Sequence, residues 1–335
     1  MIRMRIRSEE KWMQRALELA KKAGDETRPN PRVGAVVVKG GKVVGAGFHR
    51  RAGDPHAEVN AIHQAGIRAR GADLYVTLEP CSTHGRTPPC TGVIRRAGIR
   101  RVVYGASDVD PRNAGGADRV LKKAGIPVVR GVCQKECERL NEDYRHWTVR
   151  QKPWVILKLA MTMDGFLAVP GRRWITGSEA RAEVQKIRAG CDAILVGAET
   201  VRKDNPRLTV RLGKSGFQPW RVVVTRKGKM PRQAMLFTDM HRARTVVYRN
   251  QNWGRILKDL YDRGVRRLLV EGGAKTAAGL IAAGKVNEVI LFFAPETVDK
   301  GHPRVTDWGA WRWERASISR AGRDLCLRGT LKGAN

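Results

Sequence analysis

Short apolar runs alternate with amphipathic segments along the first half of the chain. Over Glu9–Ala23 apolar side chains recur at helical spacing on one face, which predicts a helix capped by Ser8 and stopped at Gly24. Two apolar runs joined by a Gly-Gly turn within 33–48 predict a β-hairpin. Further strands and Gly-terminated helices alternate after it, and this alternation predicts a layered α/β domain with a largely parallel sheet.

The second half repeats this alternation after a polar segment. A helix over 134–146 closes the first half, and a new strand begins at Pro153. Between later apolar runs of strand length, helices are expected at 178–189, 252–263 and 274–284. The predicted domains are residues 1–148 and 152–335.

Composition limits the classes of protein to which the chain can belong. Its 335 residues exceed what one core usually serves, in agreement with two domains. No apolar run approaches the roughly 18 residues that span a bilayer, and the N-terminus lacks the apolar segment of a signal peptide. We therefore expect a cytoplasmic protein without a membrane partner, whose six cysteines are reduced and form no disulfide framework.

The charge is strongly positive, with 64 Lys and Arg against 32 Asp and Glu. Such a balance favours anionic partners, either nucleic acid or phosphorylated metabolites. The basic residues form small scattered clusters and are not interleaved with aromatic residues. We therefore favour a solvated basic surface over a dedicated nucleic-acid site, and expect no nucleic-acid partner.

Two cysteines mark the most informative stretch, VTLEPCSTHGRTPPC at 76–90. A disulfide, a metal site and simple packing are the alternatives for Cys81 and Cys90, and a structural zinc clip is a further one. Upstream, His56 opens a predicted helix in DPHAEVNAI. One His and two Cys supply three ligands to zinc and leave a fourth position for water, which is the arrangement of a catalytic site.

Glu58 lies two residues after His56 and is placed to act on that water. Zinc lowers the pKa of bound water toward about 7, and a nearby carboxylate can take the proton and pass it to a leaving amine. The H-x-E pattern and the Pro-Cys pair are typical of zinc-dependent nucleobase deaminases. Eight residues, rather than two, separate the cysteines here. We expect His84, in the same loop, to contact the substrate.

The phrases NPRVGAVVV, GFHRRAGDPHAE and VTLEPCSTHGRTPPC closely resemble the deaminase half of the bifunctional riboflavin-biosynthesis deaminase/reductase family. The cysteine spacing and the HGRTPPC phrase distinguish this family from cytidine and tRNA adenosine deaminases. The resemblance implies a three-layer fold like that of cytidine deaminase. It implies that His56, Cys81 and Cys90 hold the zinc. It also implies that Glu58 is the proton shuttle and that Asn30 binds the pyrimidine.

The second half has no zinc pattern, and its own chemical signal is weaker. In VEGGAKTAAGL, residues 270–280, a strand ends in Gly-Gly before a helix, so backbone amides can approach a phosphate. A tight strand-to-helix connection explains the same glycines. The phrase is also not the G-x-G-x-x-G of a Rossmann site, so it does not predict that fold.

Four phrases of the second half, KLAMTMDG, RRWITGSEAR, GAETVRKDNPRLTVR and VEGGAKTAAGL, resemble the reductase half of the same family, whose fold is like that of dihydrofolate reductase. The resemblance covers most of 152–295 and implies NADPH as the hydride donor. The implied cofactor contacts are Trp174, Thr200, Asp204, Gly272 and Gly273. The implied substrate contacts are Lys158, Asp164, Leu208, Arg211 and Glu271.

Several positions depart from the pattern of this family. Thr83 stands where the family often has His, and the loop at 110–117 is shortened. In the second half, Arg172 replaces a Ser beside the substrate. Arg226 follows Thr225 where an Asp-Ser pair is common, and a guanidinium there can still bind a cofactor phosphate.

The site residues together with the family resemblance predict two consecutive enzymes on one chain, and we expect a homo-oligomer. The first removes an exocyclic amine from a phosphoribosylated diaminopyrimidinone with the help of zinc. The second uses NADPH to reduce the ribosylamino chain to ribitylamino. The net charge leaves a nucleic-acid base deaminase with an accessory domain as one alternative. The other is a non-catalytic, zinc-stabilised RNA-binding protein, which would need neither Glu58 nor an open zinc position.

Overall fold

Two separate β-sheets, one in each half of the chain, organise the computed structural model of the protein. The structure describes residues 2–85, 87–212, 217–226, 228, 230–249, 252–301 and 311–332, with side chains from residue 8 onward. The chain divides into two units, the first ending at Val149 and the second beginning at Arg150. Within the described residues, no helix is both long enough and apolar enough to cross a membrane.

The first unit is built on a five-stranded mixed sheet. Its strands are β1 (Gly34–Lys39), β2 (Lys42–Phe48), β3 (Asp73–Leu78), β4 (Arg101–Ala106) and β5 (Val128–Arg130). They lie in the order β2-β1-β3-β4-β5. Strand β1 is antiparallel to β2 and β3, whereas β3, β4 and β5 are parallel. The predicted hairpin therefore forms, but it makes the sheet less parallel than the sequence suggested.

Helices cover both faces of this sheet. They are α1 (Ile2–Ala20), α2 (Ala57–Ala65), α3 (Cys90–Arg96), α4 (Gly116–Lys123), α5 (Gln134–Leu140) and α6 (Glu142–Arg150). Apolar residues of α2, α3 and α4 pack on one face, and those of α1 and α5 pack on the other. The unit therefore has the three layers that the sequence predicted.

Two helices differ from the sequence prediction. The first begins at Ile2 and not after Ser8, because the preceding residues contain no helix breaker and extend the helix. The helix predicted over 134–146 is interrupted at Asn141. Its side chain accepts a hydrogen bond from the Arg32 nitrogen at 2.8 Å and donates one to the Arg32 carbonyl at 2.8 Å. This pairing holds Asn141 outside both helices.

The second unit is built on an eight-stranded sheet. Its strands are β6 (Trp154–Thr162), β7 (Ala193–Gly197), β8 (Trp220–Thr225), β9 (Thr245–Arg249), β10 (Arg267–Glu271), β11 (Glu288–Ala294), β12 (Trp313–Ala321) and β13 (Asp324–Leu331). The order is β12-β13-β11-β6-β10-β7-β8-β9. The strands from β11 to β9 are parallel, and β13 and β12 add antiparallel pairs at one side.

The second sheet is also covered on both faces. Its helices are α7 (Ser178–Ala189), α8 (Ala198–Asp204), α9 (Met235–Thr238), α10 (Trp253–Asp262) and α11 (Ala274–Ala282). Apolar residues of α10 and α11 pack on one face, and those of α7, α8 and α9 pack on the other. The three helices predicted from periodicity are present. Helix α8 was not predicted, because seven residues are too few for a clear periodic pattern.

Two glycines allow α2 to lie directly against β2. A Cβ at Gly45 would be 2.1 Å from the Ala61 carbonyl oxygen, and a Cβ at Gly47 would be 2.6 Å from the Ala61 nitrogen. His56 immediately precedes α2 and Glu58 lies in its first turn. The two glycines therefore set the depth of the helix that carries the predicted chemistry.

We predict that Gly47→Ala destabilises the first unit by about 1–3 kcal/mol, because the added methyl group forces α2 away from the sheet. Denaturant titration measures this loss. The matched control is Gly24→Ala, where an added Cβ has no atom within 4 Å and should change the free energy of unfolding by less than about 0.5 kcal/mol. Equal free energies of unfolding for the two variants would contradict this packing.

Candidate functional site

Two helix starts and one strand end bring the predicted metal ligands together. His56 precedes α2, Cys90 is the first residue of α3, and Cys81 follows β3. His56 Nδ1 lies 3.5 Å from Cys81 Sγ and 3.3 Å from Cys90 Sγ. The three ligand atoms all lie within 4.8 Å of one another. One imidazole and two thiolates converging on one point fit a zinc ion that keeps a fourth position open.

Neighbouring groups orient these ligands. Thr87 Oγ1 lies 3.4 Å from His56 Nε2, so the imidazole is held with its other nitrogen toward the sulfurs. The Cys90 amide donates to Cys81 Sγ at 3.3 Å. The hydrogen bond from the Cys90 side chain lowers the pKa of Cys81 to about 4, and the same bond together with burial raises the pKa of Cys90. Cys81 is therefore ready to bind a metal as a thiolate.

Glu58 is buried beside this cluster, with 3 % of its surface exposed. Burial raises the pKa of its carboxyl, and the neighbouring His56 only partly opposes that effect. An interaction with the Cys90 side chain opposes the rise only weakly, and it shows that Glu58 lies beside a metal ligand. A carboxyl with a raised pKa is suited to accept and then release a proton near neutral pH.

Asn30 approaches the cluster through His49, a histidine that the sequence reasoning did not select. Asn30 Nδ2 lies 3.1 Å from His49 Nε2. The His49 ring packs edge-to-face on the His56 ring, with 5.2 Å between centroids. Burial lowers the pKa of His49, which favours its neutral form. The sequence signal that could have identified His49 is its place in the phrase GFHRRAGDPHAE, seven residues before His56. His84 is exposed on the loop between the two cysteines.

The two positions of the first half that depart from the family pattern, Thr83 and the loop at 110–117, are in contact. Thr83 Oγ1 donates to Asn113 Oδ1 at 2.7 Å, and Asn113 Nδ2 donates to Asp108 Oδ2 at 3.2 Å. Asp108 is buried and also accepts from the Tyr144 hydroxyl at 3.1 Å. The shortened loop at 110–117 is therefore tied both to the loop of the metal ligands and to the core.

The second unit contains a cavity of about 1690 Å³ at the carboxyl ends of its parallel strands. Strands β7, β8 and β10 end there at Gly197, Thr225 and Glu271. Parallel strands bring their carboxyl ends to the same edge of a sheet, so segments far apart in sequence meet at this edge.

Most of the predicted reductase residues line this cavity. Those that do are Lys158, Trp174, Thr200, Asp204, Leu208, Arg211, Glu271, Gly272 and Gly273. Asp164 does not line it, and its Oδ2 accepts a hydrogen bond from the Val298 nitrogen at 3.4 Å. The structure therefore places Asp164 apart from the other candidates.

A buried group of charges lies at one side of the cavity. Arg188 of α7 forms a bidentate ion pair with Glu271, with both N–O distances at 2.5 Å. Lys158 is the register partner of Glu271 on the neighbouring strand. Burial raises the pKa of Glu271, but Arg188 and Lys158 together outweigh burial, so the pKa is lowered. Burial lowers the pKa of Lys158. The sequence did not single out Arg188, because it lies on an amphipathic helix among other charged residues that are typical of a solvent-exposed face.

The glycine turn after β10 has the geometry that only glycine adopts easily. Gly272 has a φ of 99° and Gly273 a φ of 75°. A Cβ on either residue would lie 3.5 Å from Thr200 Oγ1. Helix α11 begins at the next residue, Ala274, which lines the cavity together with both glycines. This arrangement is suited to a phosphate group.

The cavity is electropositive. Ten Lys and Arg residues line it against three Asp and Glu residues among those described. Trp174 is 58 % exposed, and the guanidinium groups of Arg173 and Arg181 each lie 5.3 Å from its ring. Arg226 lines the cavity, whereas Arg172 is outside its lining and pairs with Glu296 at 2.6 Å. Such a surface attracts a ligand with several phosphates.

Comparison with known proteins identifies the two units. Residues 6–106 match the family model of the cytidine and deoxycytidylate deaminase zinc-binding region, and residues 153–327 match that of the RibD C-terminal domain. The riboflavin biosynthesis protein RibD of Aquifex aeolicus is 40 % identical over 312 residues, which cover 87 % of this chain and 88 % of that protein. The chain belongs to the RibD family.

Other RibD proteins are similar to this chain over nearly its whole length. The Escherichia coli K12 protein is 34 % identical, with 95 % of this chain and 98 % of that protein covered. The structure of Acinetobacter baumannii RibD superposes with a TM-score of 0.86 at 32 % identity, covering 98 % of this chain and 100 % of that one. A Thermotoga maritima diaminohydroxyphosphoribosylaminopyrimidine deaminase/5-amino-6-(5-phosphoribosylamino)uracil reductase gives a TM-score of 0.83 at 34 % identity, covering 98 % and 99 %.

Membership of the RibD family confirms the predicted family and fold. The chain joins a cytidine-deaminase-like zinc-binding domain to a reductase domain of the dihydrofolate-reductase type that uses NADPH. It is a bifunctional deaminase and reductase of riboflavin biosynthesis. The comparisons do not favour a nucleic-acid base deaminase or a non-catalytic RNA-binding protein.

The charge group in the cavity generates a prediction about acid stability. The folded-state pKa of Glu271 lies below its ordinary value of 4.5, so the ionised carboxylate stabilises the fold above that pH. This contribution is lost as the pH falls through the folded-state pKa. At neutral pH, Glu271→Gln should cost about 3–5 kcal/mol, because it leaves Arg188 and Lys158 without their counter-charge. Urea unfolding at several pH values measures the difference from wild type, which should shrink below pH 4.5.

The matched control for this experiment is Glu183→Gln. The Glu183 side chain is 41 % exposed and pairs with Lys186 on the surface of α7. Its effect should stay below about 1 kcal/mol at every pH. A difference between Glu271→Gln and wild type that did not change with pH would contradict the assigned ionisation of Glu271.

Proposed function

We propose that the chain deaminates 2,5-diamino-6-(5-phosphoribosylamino)pyrimidin-4-one and then reduces the ribosylamino chain of the product to ribitylamino with NADPH. Residues 1–148 form the deaminase domain and residues 152–335 the reductase domain. The convergence of His56, Cys81 and Cys90 beside buried Glu58 carries the proposal. The activities in the name of the Thermotoga maritima relative support the choice of substrates.

In the first domain, His56, Cys81 and Cys90 would hold the zinc. Two thiolates balance the charge of a divalent ion, and the imidazole adds a neutral donor. When bound, zinc supplies the acidification of a water molecule that makes it a nucleophile near neutral pH. The Thr87 contact to Nε2 keeps the His56 ring turned toward the sulfurs.

Glu58 moves the proton in the deamination. Its carboxylate accepts a proton from the attacking water and delivers it to the exocyclic nitrogen, which leaves as ammonia. Burial keeps the pKa of Glu58 raised, so the protonated form is reached without a large cost. Asn30, held by His49, binds the pyrimidine, and His84 on the exposed loop contacts the substrate.

In the second domain, the positive cavity binds the cofactor and the phosphorylated substrate together. NADPH, when bound, supplies the hydride. The Gly272–Gly273 turn receives a cofactor phosphate, and Trp174, Thr200 and Asp204 complete the cofactor contacts. The residues that orient the substrate are Lys158, Leu208, Arg211 and Glu271.

Two features of the second unit bear on the partners of the chain. The ten basic residues at the cavity use part of the positive charge for phosphorylated small molecules, so no nucleic-acid partner is needed to explain it. Strand β12 lies at the edge of the second sheet and exposes 73 % of Ile318, a feature suited to pairing with a second copy. We infer a cytoplasmic homo-oligomer.

Substitution of Glu58 tests the deaminase function. Glu58→Gln should lower ammonia release about 10²- to 10⁴-fold, because the amide cannot carry the proton. Zinc content should stay at one ion per chain, as the three ligands are unchanged. Glu18→Gln on the exposed face of α1 is the matched control and should retain the full rate. Ammonia release by Glu58→Gln at the wild-type rate would reject the proton-transfer role.

Substitutions at the cavity test the reductase function. Asp204→Ala and Arg211→Ala should each raise KM about tenfold or more, the former for NADPH and the latter for the deaminated substrate. The rate of NADPH oxidation, followed by absorbance while NADPH or the deaminated substrate is varied, measures both KM values. Asp262→Ala, in an exposed pair with Lys258, is the control. Unchanged kinetic constants in both cavity variants would show that the site is elsewhere.

A further inference from the structure

The loop at 205–211 reaches the cavity without belonging to a helix or strand. It presents Leu208 and Arg211 to the cavity. Asn205 has a φ of 40° and Leu208 a φ of 51°. Left-handed backbone is unfavourable for a residue such as leucine and persists only where the surroundings hold it in place. Groups outside the loop must therefore define its conformation.

Arg221, the second residue of β8, supplies the most buried of these groups. Its side chain is 1 % exposed and is not part of the cavity lining. Nη1 donates to the Arg207 carbonyl at 3.3 Å and to Asp239 Oδ2 at 2.6 Å. Nη2 donates to the Leu236 carbonyl at 2.9 Å and to Asp239 Oδ1 at 2.8 Å, and Nε donates to Thr245 Oγ1 at 3.0 Å. All five guanidinium donors are used.

Two glutamines hold the far end of the same loop. The Gln218 side chain accepts from the Val210 nitrogen at 2.9 Å and donates to the Val210 carbonyl at 3.0 Å. Gln185 Oε1 accepts from the Arg211 nitrogen at 3.1 Å. Side chains thus replace the hydrogen bonds that a neighbouring strand would provide, and Arg221 is the charged anchor at the other end.

We propose that Arg221 is a positioning residue of the reductase. Its guanidinium holds the Arg207 carbonyl against α9 and β9, and so sets where Leu208 and Arg211 meet the substrate. Arg221 touches neither substrate nor cofactor and acts only through the loop. A planar guanidinium can bridge two carbonyls and a carboxylate at once, which an ammonium cannot do. The inference rests on the reductase function proposed for this cavity.

The test is Arg221→Lys in the full-length chain, which keeps a positive charge beside Asp239 but loses the bridge. KM for the deaminated substrate should rise about tenfold while kcat stays within about twofold. Hydrogen exchange of the Val210 and Arg211 amides should accelerate about tenfold, because the loop opens more often. Ammonia release by the first domain of the same chain should not change and serves as an internal control.

A matched control distinguishes a general loss of stability of the second unit from a loss of loop positioning. Arg328→Lys changes another arginine of the second sheet, which pairs with Glu288 at 2.5 Å outside the cavity lining. It should leave KM and loop exchange unchanged. If Arg221→Lys does not fold, the double variant Arg221→Met and Asp239→Leu removes both charges together and should give the same rise in KM.

Two results would overturn the proposal. One is an unchanged KM with unchanged loop exchange in a folded Arg221 variant, even if its Tm falls, because Arg221 would then be only structural. The other is the same rise in KM for Arg328→Lys. Failure of the wild-type chain to oxidise NADPH with the deaminated substrate would instead reject the proposed function. Loop exchange would still decide whether Arg221 holds the loop.

Discussion

The convergence of one imidazole and two sulfurs is the constraint on which the first unit depends. These atoms come from the start of α2, the end of β3 and the start of α3, and they meet within 4.8 Å. The meeting requires α2 to lie close to the sheet, which Gly45 and Gly47 permit. It also requires Cys90 to begin α3 and Cys81 to follow β3. The core packing of this unit therefore determines its chemistry directly.

The second unit solves a different physical problem, which is to keep charges buried in a binding cavity. Arg188 and Lys158 offset the cost of burying the Glu271 carboxylate. Buried Arg221 pairs with the partly exposed Asp239 behind the loop at 205–211. Buried ion pairs add little net stability, but they are costly to break. They are therefore suited to defining the position of a binding surface.

The sequence revealed the chemistry of the first unit better than that of the second. His56, Glu58, Cys81 and Cys90 were found because their residue types and spacing have a chemical reason, and the structure brings the three ligands together. His49 and Arg188 were missed because a buried histidine or arginine has the same sequence appearance as a surface one. Only the fold shows which ones face inward.

Local sequence signals also fell short where distant contacts decide the structure. The break at Asn141 depends on the backbone of Arg32, which is over a hundred residues away. The position of the loop at 205–211 depends on the side chains of Gln218 and Arg221, which lie outside the loop and carry no local signal of that contact. The alternation of strands and helices predicted both α/β units, because that pattern is local and repeated. The order of the strands and the antiparallel pairs could not be predicted in the same way, because they depend on pairing between distant segments.

X-ray absorption at the zinc edge of the purified protein tests the central claim most directly. A catalytic site held by His56, Cys81 and Cys90 predicts two sulfur scatterers at about 2.3 Å and two nitrogen or oxygen scatterers at about 2.0 Å, one of them exchangeable solvent. A site with three or four sulfur ligands, or a protein that binds no zinc, would contradict the account.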